Sequence, residues 1–268
     1  MMILTVDIGN TNIVLGGYEK GRQVFSSRMP TDRAKMRDQY AVDLLQVMRL
    51  YDLSPDQFQG AAISSVVPQL QSRMRDAVEM VLTNRGSRPL EGKILTVSPG
   101  MKTGLNIKID NPAQLGSDMV CSSVAALAHY PLPSIVVDLG TATKISALDL
   151  RGQMIGCSIM PGVMIGLEAL SARTAQLPQI DLQAPVRVIG TNTVDSMRSG
   201  IILGTASMID GMAQRCQEEL GEGLTVIATG GLAEDIVPYC RCRPIYNPNI
   251  CLEGLLLIYE KNEKAGEK

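Results

Sequence analysis

Val6-Asp7-Ile8-Gly9-Asn10-Thr11 and Val137-Asp138-Leu139-Gly140-Thr141-Ala142 repeat one pattern at an offset of 131 residues, close to half of a 268-residue chain. In each, an apolar run ends on a carboxylate, a glycine and small polar residues follow, and a second apolar run leaves. A carboxylate at a strand end stays ionised only where water or a cation reaches it. The glycine lets the backbone approach a ligand. Thr11, Thr141 and Thr143 add hydroxyls, and successive N–H groups in such a turn make a nest for an anion. One such turn is equally an ordinary hairpin. A matched pair at half the chain length points to a duplicated α/β domain with two related lobes. Facing each other across a cleft, the two turns could hold a polyphosphate and its Mg²⁺ from both sides.

The residues between these turns fit that architecture. Apolar runs bounded by Gly16-Gly17 and Glu19-Lys20-Gly21 predict strands at Ile3–Val6, Ile13–Tyr18 and Gln23–Arg28. Helical spacing follows over Arg37–Tyr51, a strand over Ala61–Val67 closed by Pro68, and a helix over Leu70–Asn84. The second block predicts strands at Ser134–Asp138, Lys144–Leu150 and Gln153–Ile159, then helices at Gly166–Leu170 and Thr193–Leu220. A strand at Thr225–Thr229 and a helix at Leu252–Glu260 close the pattern, and the expected lobes are 1–115 and 116–268.

Composition excludes several classes. The net charge of −2 gives no footprint for nucleic acid or an anionic membrane. No apolar run is long enough to span a bilayer, and the first residues lack a signal-peptide pattern, so the expected location is the cytoplasm. The six cysteines read as free thiols; Cys240-Arg-Cys242 has no second pair at zinc spacing. The single histidine, His129, sits at an expected helix end, which leaves carboxylates as the candidate acids and bases.

The paired turns resemble the two phosphate motifs of the actin-like, sugar kinase and Hsp70 ATPase superfamily. Ala228-Thr229-Gly230-Gly231 is similar to its adenosine motif. The expected fold is therefore a duplicated actin-like, ribonuclease H-like ATPase with a nucleotide cleft between the lobes. A closer resemblance comes from an ordered set: Asp7-x-Gly9-Asn10-Thr11, Asp110-Asn111-Pro112, Gly116-x-Asp118, Asp138-x-Gly140-Thr141, Pro161-Gly162, Thr174-Ala175-x-Leu177-Pro178 and Gly190-Thr191-Asn192-Thr193. Together these resemble the type III pantothenate kinases over nearly the whole chain.

That resemblance implies transfer of the γ-phosphoryl group of ATP to the primary hydroxyl of pantothenate, the first step of coenzyme A biosynthesis. It implies Asp118 as catalytic base; read from the residues alone, Asp118 is a helix N-terminal acid. It implies ATP contacts from Asp7, Ile8, Gly9, Asn10, Thr11, Asn12, Ile13, Val14 and Thr141. Pantothenate contacts fall on Ile109, Gly116, Ser117, Asp118, Met119 and Thr193. It implies Mg²⁺ near Asp7 through water, a monovalent cation, K⁺ or NH₄⁺, at Asp138, and a homodimer. Two positions depart from the family: Met119 stands where many members have arginine, and Ile109 where many have tyrosine. Either change alters the expected pantothenate pocket, and Lys108 or Arg173 could supply the missing cation. Another small-molecule kinase of the superfamily, acting on a sugar for example, and a non-catalytic nucleotide-binding regulator are the alternatives.

Overall fold

A computed structural model describes residues 1–83, 90 and 92–263. In chain order the elements are β1 (Met2–Ile8), β2 (Asn12–Glu19), β3 (Arg22–Pro30), α1 (Arg37–Leu50), β4 (Phe58–Ser65), α2 (Pro68–Thr83), β5 (Ile94–Thr96) and β6 (Asn106–Ile107). There follow α3 (Ser117–His129), β7 (Ser134–Leu139), β8 (Ala142–Leu148), β9 (Gln153–Pro161), α4 (Val163–Arg173), α5 (Thr193–Leu220), β10 (Thr225–Thr229), α6 (Ala233–Ile236), β11 (Ile245–Tyr246) and α7 (Ile250–Glu263).

The chain divides into two compact units, but not by one cut. Unit 1 gathers Met1–Leu105, Asn111–Ala125 and Asn249–Lys268; unit 2 gathers Asn106–Asp110 and Ala126–Pro248. The single cut expected between residues 115 and 116 does not coincide with this grouping, because most of α3 and all of α7 fall in unit 1.

Unit 1 is built on a five-stranded sheet in the order β3-β2-β1-β4-β5. β1 is its centre, antiparallel to β2 and parallel to β4, and its near-continuous apolar run is what a strand covered on both faces requires. α2 presents Leu70, Met74, Ala77, Val78, Val81 and Leu82 to this core, a stripe at helical spacing. Pro68 opens α2, where its missing N–H costs nothing. β4 therefore stops at Ser65, before the expected end at Val67, and Val66-Val67 turn the chain into the helix. Asn84, the expected last residue of that helix, lies outside the described residues. α7 packs against β1, β2 and β4. Its Tyr259 hydroxyl accepts from the Lys93 N–H at 3.3 Å and donates to Glu263 Oε1 at 3.3 Å. Burial, with the Glu263 charge behind it, pushes that phenol up to about 12.

Unit 2 holds a six-stranded sheet in the order β11-β10-β7-β8-β9-β6. β7, β8 and β9 form an antiparallel meander, and β10 joins β7 in parallel. This repeats the β1–β2–β3 meander with β4 beside β1, so the duplication read from the sequence is present in both sheets. α5 starts where the Asn192 side chain accepts from the Asp195 N–H at 2.9 Å, and stops at Gly221 with φ of 99°. Its buried face, Ile202, Ala206, Ile209 and Ala213, covers Ile135, Val137 and Val226 of the sheet.

Candidate functional site

The first Asp-Gly turn joins β1 to β2 in unit 1. Ile8 pairs with Ile13, leaving four residues, Gly9 to Asn12, in the bend. The Gly9 N–H donates to the Asn12 carbonyl at 3.0 Å, and a Cβ at Gly9 would lie 2.9 Å from that same oxygen. The turn is braced from outside. Thr31 Oγ1 donates to the Gly9 carbonyl at 2.7 Å, and the Thr31 N–H donates to the Thr11 carbonyl at 2.9 Å. Thr31 is held in turn by its neighbour Asp32, whose carbonyl accepts from the buried Tyr40 hydroxyl at 2.6 Å. Removing that hydroxyl in Tyr40→Phe leaves the Asp32 N–H without its acceptor and the Asp32 carbonyl with only the Lys35 N–H, at 3.3 Å. It is expected to cost about 1 kcal/mol of unfolding free energy, read from a shift in the urea midpoint at unchanged slope.

Asp118 belongs to the same unit, in the first turn of α3. Its carboxylate folds back over Gly116, where a Cβ would lie only 2.5 Å from Asp118 Oδ1. Oδ1 also accepts the Met119 N–H at 2.7 Å. The start of α3 is fastened to the end of β4 by Ser117. Its hydroxyl accepts the Ser65 N–H at 3.0 Å and donates to the Ser65 carbonyl at 3.1 Å. With that one proton committed, the 2.9 Å contact to Ser64 Oγ makes Ser64 the donor. Ser64 stands opposite Asp7 in the β1–β4 ladder. A chain of neighbours thus runs from Asp7 through Ser64 and Ser117 to Asp118. Cys251 of α7 senses both acids: its thiol is pushed well up by the hydrogen bond with Cys121, by burial, and by the charges of Asp7 and Asp118.

The second Asp-Gly turn lies in unit 2 and is one residue shorter. Leu139 pairs with Thr143, leaving Gly140, Thr141 and Ala142 in the bend. The shorter bend sets Lys144 directly across the ladder from Asp138, and Lys144 Nζ sits 2.8 Å from Asp138 Oδ2. The corresponding partner of Asp7 is Val14. Two glycines from elsewhere in the chain close around this turn. A Cβ at Gly162 would lie 2.0 Å from the Thr141 carbonyl oxygen, and one at Gly230, with φ of 98°, 2.6 Å from the backbone of Leu139.

The remaining expected site residues divide between the units. Met119 is buried at 6% exposure in the unit 1 portion of α3, so this side chain packs. Ile109, with Lys108, and Thr193 fall in unit 2. Thr193 lines a cavity of about 780 Å³ with Leu170, Leu177, Asn192 and Met197, a volume suited to a small organic ligand. Cys157 is exposed. Cys240 and Cys242 are free, and the backbone N–H groups of Arg241 and Cys242 donate to Asp210 at 3.0 and 2.9 Å. Among the described residues no cluster of three or more His, Cys, Asp or Glu could hold a metal ion.

Sequence reading did not find Thr31, Ser64, Ser65 or Lys144. For Lys144 a signal existed: counting register back from a three-residue bend puts it opposite Asp138. For the others none did, because the contacts join residues far apart in sequence.

The model of a family described as type III pantothenate kinase matches residues 3–215. The type III pantothenate kinase of Brevibacillus brevis is 40% identical over 262 residues, covering 98% of this chain and 100% of that protein. That of an Exiguobacterium species is 41% identical over 263 residues, with the same coverage. Among solved structures, the activator of the 2-hydroxyisocaproyl-CoA dehydratase from Clostridium difficile with bound ADPNP superimposes with a TM-score of 0.59 at 12% identity. That comparison covers 100% of this chain and 97% of the other, and at such identity it speaks to the fold alone. The architecture is the α/β, actin-like ATPase fold read from the sequence. A match over most of the sequence, with full-length relatives at 40% identity and above, shows that the chain belongs to the type III pantothenate kinase family.

Proposed function

We propose that the chain works as its family does, with Asp118 as the base: ATP gives its γ-phosphoryl group to the primary hydroxyl of pantothenate, yielding 4′-phosphopantothenate for coenzyme A biosynthesis. The observation that carries this assignment is the clamp of Ser117 onto the end of β4, which sets Asp118 in the same unit as the Asp7 turn. Phosphoryl transfer depends on positioning more than on covalent chemistry, so a fastened carboxylate suits the role. As the attacking oxygen bonds to the γ-phosphorus and the bond to the bridging oxygen breaks to release ADP, the hydroxyl proton passes to an Asp118 carboxylate oxygen.

The turn Asp7–Val14 takes the phosphates of ATP, and the family resemblance assigns an ATP contact to Thr141 as well. The glycine-shaped bend of the first turn and its exposed residues Asn10 and Thr11 support that reading. Mg²⁺ fits the hard oxygen donor of Asp7. With no larger acidic cluster among the described residues, it would rest on that carboxylate through water and on the phosphates themselves, a usual arrangement for this ion. When bound, it neutralises charge on the transferring group. Gly116–Met119, Ile109 and Thr193 contact pantothenate; the cavity at Thr193 supports the last of these. The monovalent cation implied at Asp138 meets a carboxylate already held by Lys144. A homodimer in the cytoplasm completes the reading, supported by the family resemblance. No helix of the described residues is long and apolar enough to cross a membrane.

The test is direct. Purified protein with Mg-ATP and pantothenate is expected to form 4′-phosphopantothenate, identified by mass, and to leave a panel of sugars untouched. Absence of transfer to pantothenate at saturating ATP sinks the assignment.

A further inference from the structure

We propose that the Lys144 ammonium is a built-in monovalent cation at Asp138, so that this chain binds ATP and turns over without K⁺ or NH₄⁺. The proposal rests on the reading of Asp138 as the monovalent-cation position of this phosphate site.

Three observations carry it. First, Nζ lies 2.8 Å from Asp138 Oδ2, with the two side chains only 18% and 26% exposed, so this is no loose surface pair. Second, the contact is set by backbone register: Lys144 stands directly opposite Asp138 between β7 and β8, in a ladder continuous from Ser134 to Leu139. The bend of three residues makes that register, and Gly162 and Gly230 pack against the bend so closely that neither has room for a Cβ. Third, the duplicated hairpin differs at this point. Its bend of four residues places Val14 opposite Asp7. The second hairpin therefore sets a lysine across the ladder from its acid, where the first sets a valine.

The chemistry matches. A lysine head is an alkylammonium, compact and strongly hydrated, with three donors. It can spend one on Asp138 and offer others to an oxyanion, as NH₄⁺ would. A K⁺ beside the same carboxylate would meet a like charge at close range, which disfavours its entry. The donor set here thus fits a tethered ammonium and not a diffusible ion.

The experiment uses the full chain exchanged into tetramethylammonium chloride at an ionic strength of about 0.1 M. Affinity for Mg with a non-hydrolysable ATP analogue is measured by calorimetry, alongside pantothenate turnover, with and without K⁺ or NH₄⁺. For the wild type, both quantities are expected to change by less than about twofold on adding either ion, a shift well under RT ln 10. Lys144→Met is expected to lose about tenfold in analogue affinity, about 1.4 kcal/mol, and to recover part of it with K⁺ or NH₄⁺. A wild-type affinity that rises tenfold or so with K⁺ overturns the proposal, as does a folded Lys144→Met with unchanged affinity. Should Lys144→Met fail to fold, the wild-type response still decides. Absence of pantothenate turnover in every salt would refute the assigned reaction, whereas the salt response of analogue binding reads Lys144 alone.

Discussion

Asp118→Asn is expected to lower kcat by about 10²- to 10⁴-fold, the usual worth of a positioned general base. In barrier terms that is about 3 to 5 kcal/mol. The substitution is close to isosteric. An asparagine oxygen can still accept the Met119 N–H, and the Ser117 clamp onto Ser64 and Ser65 is untouched. The folded state loses the attraction between a carboxylate and the start of α3, about 0.3 to 1 kcal/mol. Affinity for ATP, which we propose the Asp7 turn supplies, should stay within a factor of about two, well below one RT ln 10. The signature is thus a collapse of kcat beside a nearly unchanged melting temperature. Turnover that survives near the wild-type rate would falsify the role of Asp118 as base.

The second large effect concerns stability. Gly254 lies on the buried side of α7, where an added Cβ would sit 1.8 Å from the Cys121 carbonyl oxygen and 2.5 Å from its carbon. Both are backbone atoms of α3, so no side-chain rotation relieves the clash. Alanine is worth about 1 kcal/mol over glycine inside a helix. Against it stands an overpacking cost of about 3 kcal/mol or more, because α3 and α7 must move apart. Gly254→Ala, a net loss of about 2 kcal/mol, should therefore lower Tm by roughly 4 to 8 °C in differential scanning calorimetry. Turnover should fall as well, since Asp118 rides on the displaced helix. Gly211→Ala is the matched control: nothing within 4 Å awaits its Cβ in α5, and there the helix propensity wins, by up to about 1 kcal/mol. If the two substitutions shift Tm in the same direction, the close approach of α3 and α7 is not what limits residue 254.

The parts of this molecule that were legible in its sequence are those with a local physical signature. β1, β2 and β3 announce themselves by apolar runs between glycine turns, and β10 and α5 end where their cap and turn residues stand. β5, β6 and β11, of two or three residues, are too short to show a period. The two Asp-Gly turns were equally plain, and their likeness pointed to nucleotide phosphates. The same likeness hid their difference. Aligned as equals, the hairpins conceal that one bend is shorter by a residue, and with it the pairing of Lys144 with Asp138. Ser117 read only as part of a substrate motif. Its clamp on β4 spans more than 50 residues of sequence and exists only once α3 docks, which no local pattern records.

The make-up of unit 1 bears on how the protein is made. Its sheet comes from the first stretch of chain, yet the helix that covers β1, β2 and β4 is α7, which begins at Ile250. At about 5 to 20 residues per second, the ribosome needs roughly 8 to 30 s to go from residue 105 to α7. Through that interval the face of the sheet awaiting α7 stays open to water, and to chaperones. Unit 2 has no such wait: its main stretch, Ala126–Pro248, emerges without interruption, and its short strand precedes it. The unit encoded first is thus the one that must finish last.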